Sequence, residues 1–227
     1  TSIEDVSAIA QKIVSETKSM VTSSQNLKIH MDETVSEIST LKEELKGIKQ
    51  AARTDMLTGL LNRRGFDEAI SEAQQNSITH NKAFSIILTD IDHFKKGNDT
   101  HGHLIGDNVL KMLSRLLNEQ IKGKDIAARF GGEEFILVLP DTSLKGAFIL
   151  AEQIRKSLQT MKWIARNSGK PIGTVTVSLG VAQYKPDETI ESLIQRADNA
   201  LYFAKENGRN RTVTELDIAT ACPPLGA

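Results

Sequence analysis

"ARFGGEEFILVLP", residues 128–140, places two glycines and two glutamates inside an otherwise apolar run. The segments on either side, "DIAARF" and "EFILVLP", have the composition of short strands, and a Gly-Gly pair between two such runs is a hairpin signal. Two explanations compete for the charges at the turn. A tight turn carries solvated carboxylates as a matter of course. A site for phosphate and metal also needs this composition, because a glycine backbone admits a bulky polyphosphate that Cβ atoms would obstruct.

Working outward, "AFSIILTDID" (83–92) is a β-rich run closing on two aspartates. Leu104, Ile105, Val109, Leu110, Leu113, Leu116 and Leu117 then recur at helical spacing. Residues 143–161 predict a second helix, 173–184 another strand, and 189–208 a long helix stopped at Gly208. With a helix near 63–75, the order is α-β-α-β-β-α-β-α. Strands joined by crossover helices predict a sheet carrying helices on its faces, an α+β sandwich. The last dozen residues, with "ACPPLGA", have the composition of a frayed tail, placed here at 216–227.

Residues 1–52 differ in texture, with no proline and no glycine except Gly47. A heptad reading puts Ile3, Ala10, Thr17, Ser24, Met31, Ile38, Leu45 and Ala52 at a, six of eight apolar. Val6, Ile13, Met20, Leu27, Thr34, Leu41 and Ile48 fall at d, six of seven apolar. A narrow stripe sustained that long predicts a coiled-coil stalk rather than one amphipathic helix folded back on the globular part. Fifty helical residues reach about 75 Å, too far to pack along a domain of the remaining size. Thr17, Ser24 and Thr34 weaken the middle of the seam.

The 28 basic and 29 acidic residues nearly cancel, which argues against nonspecific nucleic-acid binding. One cysteine, Cys222, cannot form an internal disulfide and suits a cytoplasmic protein. No apolar run approaches the roughly 18 residues of a membrane span. The first residue is Thr1, as in a fragment of a longer parent, so any sensor or membrane anchor is expected upstream.

Asp90 and Asp92 stand two apart at a strand end, so both are expected on one face. If the 128–140 hairpin lies beside that strand, Asp90 and Glu133 converge. Converging carboxylates repel without a cation between them, and hard oxygens suit Mg²⁺ or Mn²⁺. Lys95 and Lys96, then Lys205 and Arg209 one helical turn apart, would supply charge to phosphate oxygens. His101 and His103 in "THGH" fit either a metal pair or helix capping with one ligand contact.

Five ordered blocks resemble the GGDEF family of bacterial diguanylate cyclases over residues 53–213: "RTDMLTGLLNRRGF" (53–66), "TDIDHFKKGNDTHGHLIGDNVL" (89–110), "RFGGEEF" (129–135), "VSLGVA" (177–182) and "ADNALYFAKENGRN" (197–210). The signature is the GGEEF variant, with Glu133 in place of the aspartate. The resemblance implies a mostly antiparallel sheet akin to polymerase palms and class III nucleotidyl cyclases, spanning 53–215. It implies condensation of two GTP into cyclic di-GMP and two pyrophosphates, each 3′-hydroxyl attacking the other α-phosphate. Asp90, the carbonyl of Ile91 and Glu133 would then hold two Mg²⁺ or Mn²⁺ per site. Glu133 would accept the hydroxyl proton, with Glu134 a helper. Asn98 and Asp107 would hydrogen-bond guanine, with His103 nearby. Lys95, Lys205 and Arg209 would neutralise the triphosphate beside the amides around Phe94, and Gly131 and Gly132 would leave it room. An acceptor-only carboxylate at Asp107 matches guanine N1–H and N2–H₂ and finds no such pair on adenine, which favours GTP over ATP.

The family's inhibitory product site, RxxD, is represented by "KGKD" (122–125), with Lys122 in place of arginine and Asp125 kept. Lysine keeps the charge and loses the planar two-pronged grip. One domain binds one GTP and the product needs two, so a homodimer tethered by the stalk is implied, with control by an upstream sensor or a separate regulatory protein. A non-catalytic domain sensing GTP or cyclic di-GMP, and a coiled-coil scaffold with an idle domain, are the other classes compatible with the architecture.

Overall fold

The computed structural model describes residues 3–161, 163–164 and 171–221, so Cys222 lies outside the described residues. The chain divides into two units, Thr1–Gln50 and Ala51–Ala227. In order, the elements are α1 (Ile3–Arg53), α2 (Arg63–His80), β1 (Phe84–Ile91), α3 (Phe94–His101), α4 (His103–Gln120), β2 (Ile126–Arg129), β3 (Glu134–Pro140), α5 (Leu144–Thr160), β4 (Trp163–Ile164), β5 (Pro171–Gly173), β6 (Val177–Gln183), α6 (Ile190–Glu206), β7 (Thr212–Thr214) and α7 (Glu215–Ala221).

The second unit is built on a five-stranded sheet ordered β2-β3-β1-β6-β7. Only the β6–β7 pair is parallel; β1–β3, β1–β6 and β2–β3 are antiparallel. Every residue of β1 is buried, as expected of a central strand covered on both faces. Strand parity sorts the core. Ile87, Phe135, Leu137, Leu139, Leu179 and Val181 join Leu113 and Leu117 of α4 and Ile154 and Leu158 of α5 on one face. Ile86, Leu88, Ile136, Val138 and Ala182 join Phe66 and Ile70 of α2 and Leu193, Ala197 and Leu201 of α6 on the other. Each of these side chains larger than alanine contributes about 1.5–3 kcal/mol on leaving water. Asp90 has the parity of the α2/α6 face, which sets its partner.

Helix starts follow local chemistry. Asn62, Ser143 and Thr189 cap α2, α5 and α6 by accepting from the N–H of Gly65, Gly146 and Ser192. At the α1 end, the Asn62 side chain donates to the Ala52 and Thr54 carbonyls, and its N–H donates to Arg53.

Several expectations change. The single helix expected after the aspartates is two, because Gly102 at φ 85° turns the chain between α3 and α4. The expected strand 173–184 is confined to β6, with Pro171–Gly173 pairing instead with β4. The helix expected over residues 1–52 runs one residue further, through Arg53. Residues 215–221, assigned almost wholly to the tail, form α7: Glu215 accepts from Gln183 N–H and from Arg196, which also holds Glu188.

Candidate active site

The site forms where β1 ends. Asp90 pairs with Glu134 of β3 on one side and Ser178 of β6 on the other, and is 6% exposed. Because its side chain faces α6, Lys205 reaches it: Nζ lies 2.9 Å from Oδ2. Burial pushes the Asp90 carboxyl above the usual carboxylate range, Lys205 pulls it back, Asp92 adds to the rise and Arg209 opposes it. The net direction is upward.

Between β2 and β3 the N–H groups of Phe130 and Gly131 both donate to the carbonyl of Glu134, at 2.8 and 3.2 Å. That closes the turn and leaves Glu133 at its tip. Burial raises the Glu133 carboxyl, the Asp90 and Glu134 charges raise it further, and Lys205 opposes them. Carboxylates from two strands therefore share one electrostatic field. The two glycines differ in role. A Cβ on Gly131 would stand 2.5 Å from Glu134 Oε2, so the bare Cα lets that carboxylate fold over the turn. A Cβ on Gly132 would meet nothing within 4 Å, so this backbone borders open space.

Asp92 shares the face of Asp90, since it bonds the side chain of Ser178, the residue paired with Asp90, but it is not free to hold a ligand. It lies beyond the strand end, where its carboxylate accepts from Thr176 Oγ1, Ser178 Oγ and the N–H of Asn210 at 2.6–3.0 Å. It ties β1, β6 and the segment after α6 together. Arg209 is not on the last helix. α6 ends at Glu206, Gly208 takes φ 103°, and Arg209 follows in a left-handed conformation at φ 60°. Its charge nonetheless acts on Asp90.

The α3–α4 corner gathers only some of the residues expected to meet the base. A cavity of about 450 Å³ is lined by Phe94, Asn98, His101, Gly106 and Val175 among others; Asp107, His103 and Lys95 are not among its walls. Asp107 is half-buried, while His103 and Lys95 are exposed. The Asn98 carboxamide rests on Gly106, where a Cβ would fall 1.9 Å from Oδ1. That Oδ1 is buried without a protein partner. Among the described residues no three His, Cys, Asp or Glu side chains group as a metal site, so no all-side-chain cage is present. In "KGKD", the N–H of Lys122 donates to Asp125 Oδ2 at 3.0 Å, and the Lys122 side chain faces solvent.

One set of residues was not singled out from sequence. Arg129 makes a two-pronged pair with Asp55 through Nη1, at 3.2 Å to each oxygen, and donates Nε and Nη2 to the carbonyl of Gly132. Burial raises the Asp55 carboxyl, but Thr58 and Arg129 outweigh it and hold it below its ordinary value. Arg129 thus braces the glycine turn, one residue before Glu133, against the loop that follows α1. Its partner is 74 residues away, and no local pattern announces such a pair.

A family model described as "Diguanylate cyclase, GGDEF domain" matches residues 52–211. The diguanylate cyclase VdcA of Vibrio cholerae serotype O1 is 38% identical over 213 residues, covering 93% of this chain and 61% of that protein. The coiled coil and GGDEF domain of DgcB from Caulobacter crescentus, solved in complex with c-di-GMP, superposes with a TM-score of 0.78 at 33% identity, covering 83% of this chain and 98% of that one. The diguanylate cyclase SiaD of Pseudomonas aeruginosa, solved with its activator SiaC, gives 0.69 at 33% identity, covering 93% and 82%. The chain thus spans less than two thirds of the length of a curated relative such as VdcA.

Proposed function

This chain belongs to the GGDEF family of diguanylate cyclases, and from that premise we propose that it condenses two GTP into cyclic di-GMP, releasing two pyrophosphates. One observation carries the reading. At the end of β1 a buried carboxylate, the carboxylates of the glycine turn and an ammonium from α6 meet beside bare backbone.

The donor set fits Mg²⁺ or Mn²⁺. Asp90 and Glu133 offer hard oxygens, and the Asp90 charge raises the Glu133 carboxyl. These two and the main-chain carbonyl of Ile91 would hold the metal, and since no third side-chain ligand is grouped there among the described residues, the substrate's phosphates and water would supply the rest. Two ions per site belong to the same proposal. When bound, divalent ions lower the pKa of the attacking hydroxyl and shield the leaving pyrophosphate.

The chain's own residues do the rest. Glu133, at the tip of the glycine turn, accepts the 3′-hydroxyl proton. Glu134, folded over Gly131, keeps negative charge beside it. Lys95, Lys205 and Arg209, with the amides around Phe94, stabilise charge building on the phosphates. Asn98 and Asp107 read guanine, and His103 stands beside the nucleotide. Incubation with GTP and Mg²⁺, followed by chromatography of the products, tests the proposal, with Glu133→Ala as the blank. No cyclic di-GMP from the wild type would overturn it.

Gly106 bears on base reading. Gly106→Ala puts a methyl where Asn98 Oδ1 lies and displaces the carboxamide, while alanine favours the helix. The KM for GTP is expected to rise about tenfold, the equivalent of one hydrogen bond, with a smaller change in kcat and no loss in melting temperature. An unchanged KM would remove Asn98 from base recognition.

Homodimerisation through α1 completes the proposal, because each domain carries one half-site. The seam side chains Ile13, Met20, Leu27, Met31, Ile38, Leu41 and Leu45 are all exposed along this helix, which supports pairing with a second copy. Deleting residues 1–48 is expected to lower activity at nanomolar protein, with GTP affinity largely kept, as the effective concentration falls from the millimolar range. Equal specific activity at that dilution would contradict the tether. Control through the stalk, by an upstream sensor or a separate protein, and a cytoplasmic working place belong to the same reading. No described helix is long and apolar enough to cross a membrane.

At "KGKD", Lys122 lacks arginine's fork and Asp125 already accepts from its own loop. Feedback inhibition by cyclic di-GMP is expected to be weak or absent. Submicromolar binding lost on Asp125→Ala, measured by calorimetry, would contradict this.

A further inference from the structure

Lys205 has a partner before any substrate arrives. Its Nζ lies 2.9 Å from Asp90 Oδ2, with the Asp90 side chain 8% exposed and that of Lys205 30%. A carboxylate that buried requires a nearby cation, and Lys205 supplies it. The root of the lysine is fixed, since α6 packs backbone to backbone on β6 at Gly180. Its four-carbon stem is flexible and its head is a point charge, so the ammonium can leave without moving the helix. The adjacent carboxylate cannot take over, because Asp92 is occupied by Thr176, Ser178 and Asn210. Among the described residues no third side-chain ligand is grouped there to strengthen the hold on a metal.

Resting on the reading above, we propose that Lys205 is a displaceable counter-ion. It occupies Asp90 in the free protein, competes with divalent cations for that carboxylate, and transfers to the phosphates when metal and nucleotide arrive together. Divalent binding is thereby conditional on nucleotide: the metal alone must evict an ammonium that then has no anion to meet, whereas the triphosphate offers one. Coupling of this kind is reciprocal, so nucleotide tightens metal and metal tightens nucleotide.

Mn²⁺ titration of the nucleotide-free full chain, followed by the electron paramagnetic resonance of free Mn²⁺, tests this. Wild type is expected to bind weakly and Lys205→Met about tenfold more tightly, within the usual range of such couplings. Lys205→Arg should stay near wild type, and Asp90→Asn should bind least. Mn²⁺ affinity in Lys205→Met equal to or below wild type would overturn the proposal. Should that variant fail to fold, acetylation of Lys205 in wild type, followed by peptide mass spectrometry, asks the same question. It should rise on adding saturating Mn²⁺ alone, and no rise would overturn the idea. Neither measurement depends on turnover, so a protein that made no cyclic di-GMP would sink the proposed function while leaving this result legible.

Discussion

Glu133→Gln is expected to lower cyclic di-GMP formation by about three orders of magnitude, the upper part of the range for losing a general base. Glutamine keeps the size and the turn and removes only the charge. The same change should leave the fold intact and improve the metal-free protein at neutral pH. The Glu133 carboxyl is raised in the folded state, by burial first and then by Asp90 and Glu134. Between the unfolded and folded values the native protein therefore binds more protons than the unfolded chain. Its stability falls as pH climbs through that window, which begins at the ordinary glutamate value and extends upward. Glutamine has no proton to lose. In chelator, the melting temperature of the variant should equal or exceed wild type at pH 7, and the gain should shrink toward pH 4. Residual turnover above a tenth of wild type, or a variant that melts well below wild type at pH 7, would show that the charge is not used as described.

Gly180→Ala should damage the whole second unit. A Cβ there would lie 2.1 Å from the carbonyl oxygen of Ala197 and 2.4 Å from the amide nitrogen of Leu201. Both are backbone atoms of α6 and cannot rotate away, so the helix itself must shift off β6. Overpacking of this kind costs about 3 kcal/mol or more, which corresponds to a melting temperature about 6–12 °C lower for a domain of this size. Activity should fall further than stability alone predicts, because α6 carries Lys205 to Asp90. Gly47→Ala, whose Cβ would meet nothing within 4 Å, is the control and should not destabilise. Equal melting temperatures for the Gly180 and Gly47 variants would show that the α6–β6 contact yields.

Where a residue's role depends on its neighbours in the chain, the sequence was legible. The β-rich run 83–92 predicted a strand, and β1 occupies Phe84–Ile91 and is buried throughout. The Gly-Gly pair predicted the turn between β2 and β3. Strand periodicity put Asp90 at a strand end and the turn put Glu133 at a tip, so one pairing of β1 with β3 was enough to bring them into a common field. The long helix was equally plain, and α1 occupies Ile3–Arg53, since an apolar stripe at helical period needs no knowledge of the rest of the chain.

Periodicity carried to the end of an element was not enough. Counting in twos put Asp92 on the face of Asp90, as its bond to Ser178 bears out, but gave no sign that Thr176, Ser178 and Asn210 would occupy its carboxylate. Arg209 was placed one turn beyond Lys205 by counting in fours, but Gly208 had already ended the helix.

By itself, then, the sequence determined the strands, the helices, the glycine turn and the identity of the charged residues near it, because each follows from backbone preference and the period of apolar side chains over a few residues. Only the tertiary structure decided that Lys205 neutralises Asp90, that Arg129 locks Gly132 to Asp55, and that Gly106 and Gly180 are bare to let Asn98 and α6 approach. Those choices are made by which charges and surfaces are left within about 3 Å once the sheet has closed, where an unpaired buried charge or a single extra methyl costs several kcal/mol. No property of a short stretch of chain encodes that proximity.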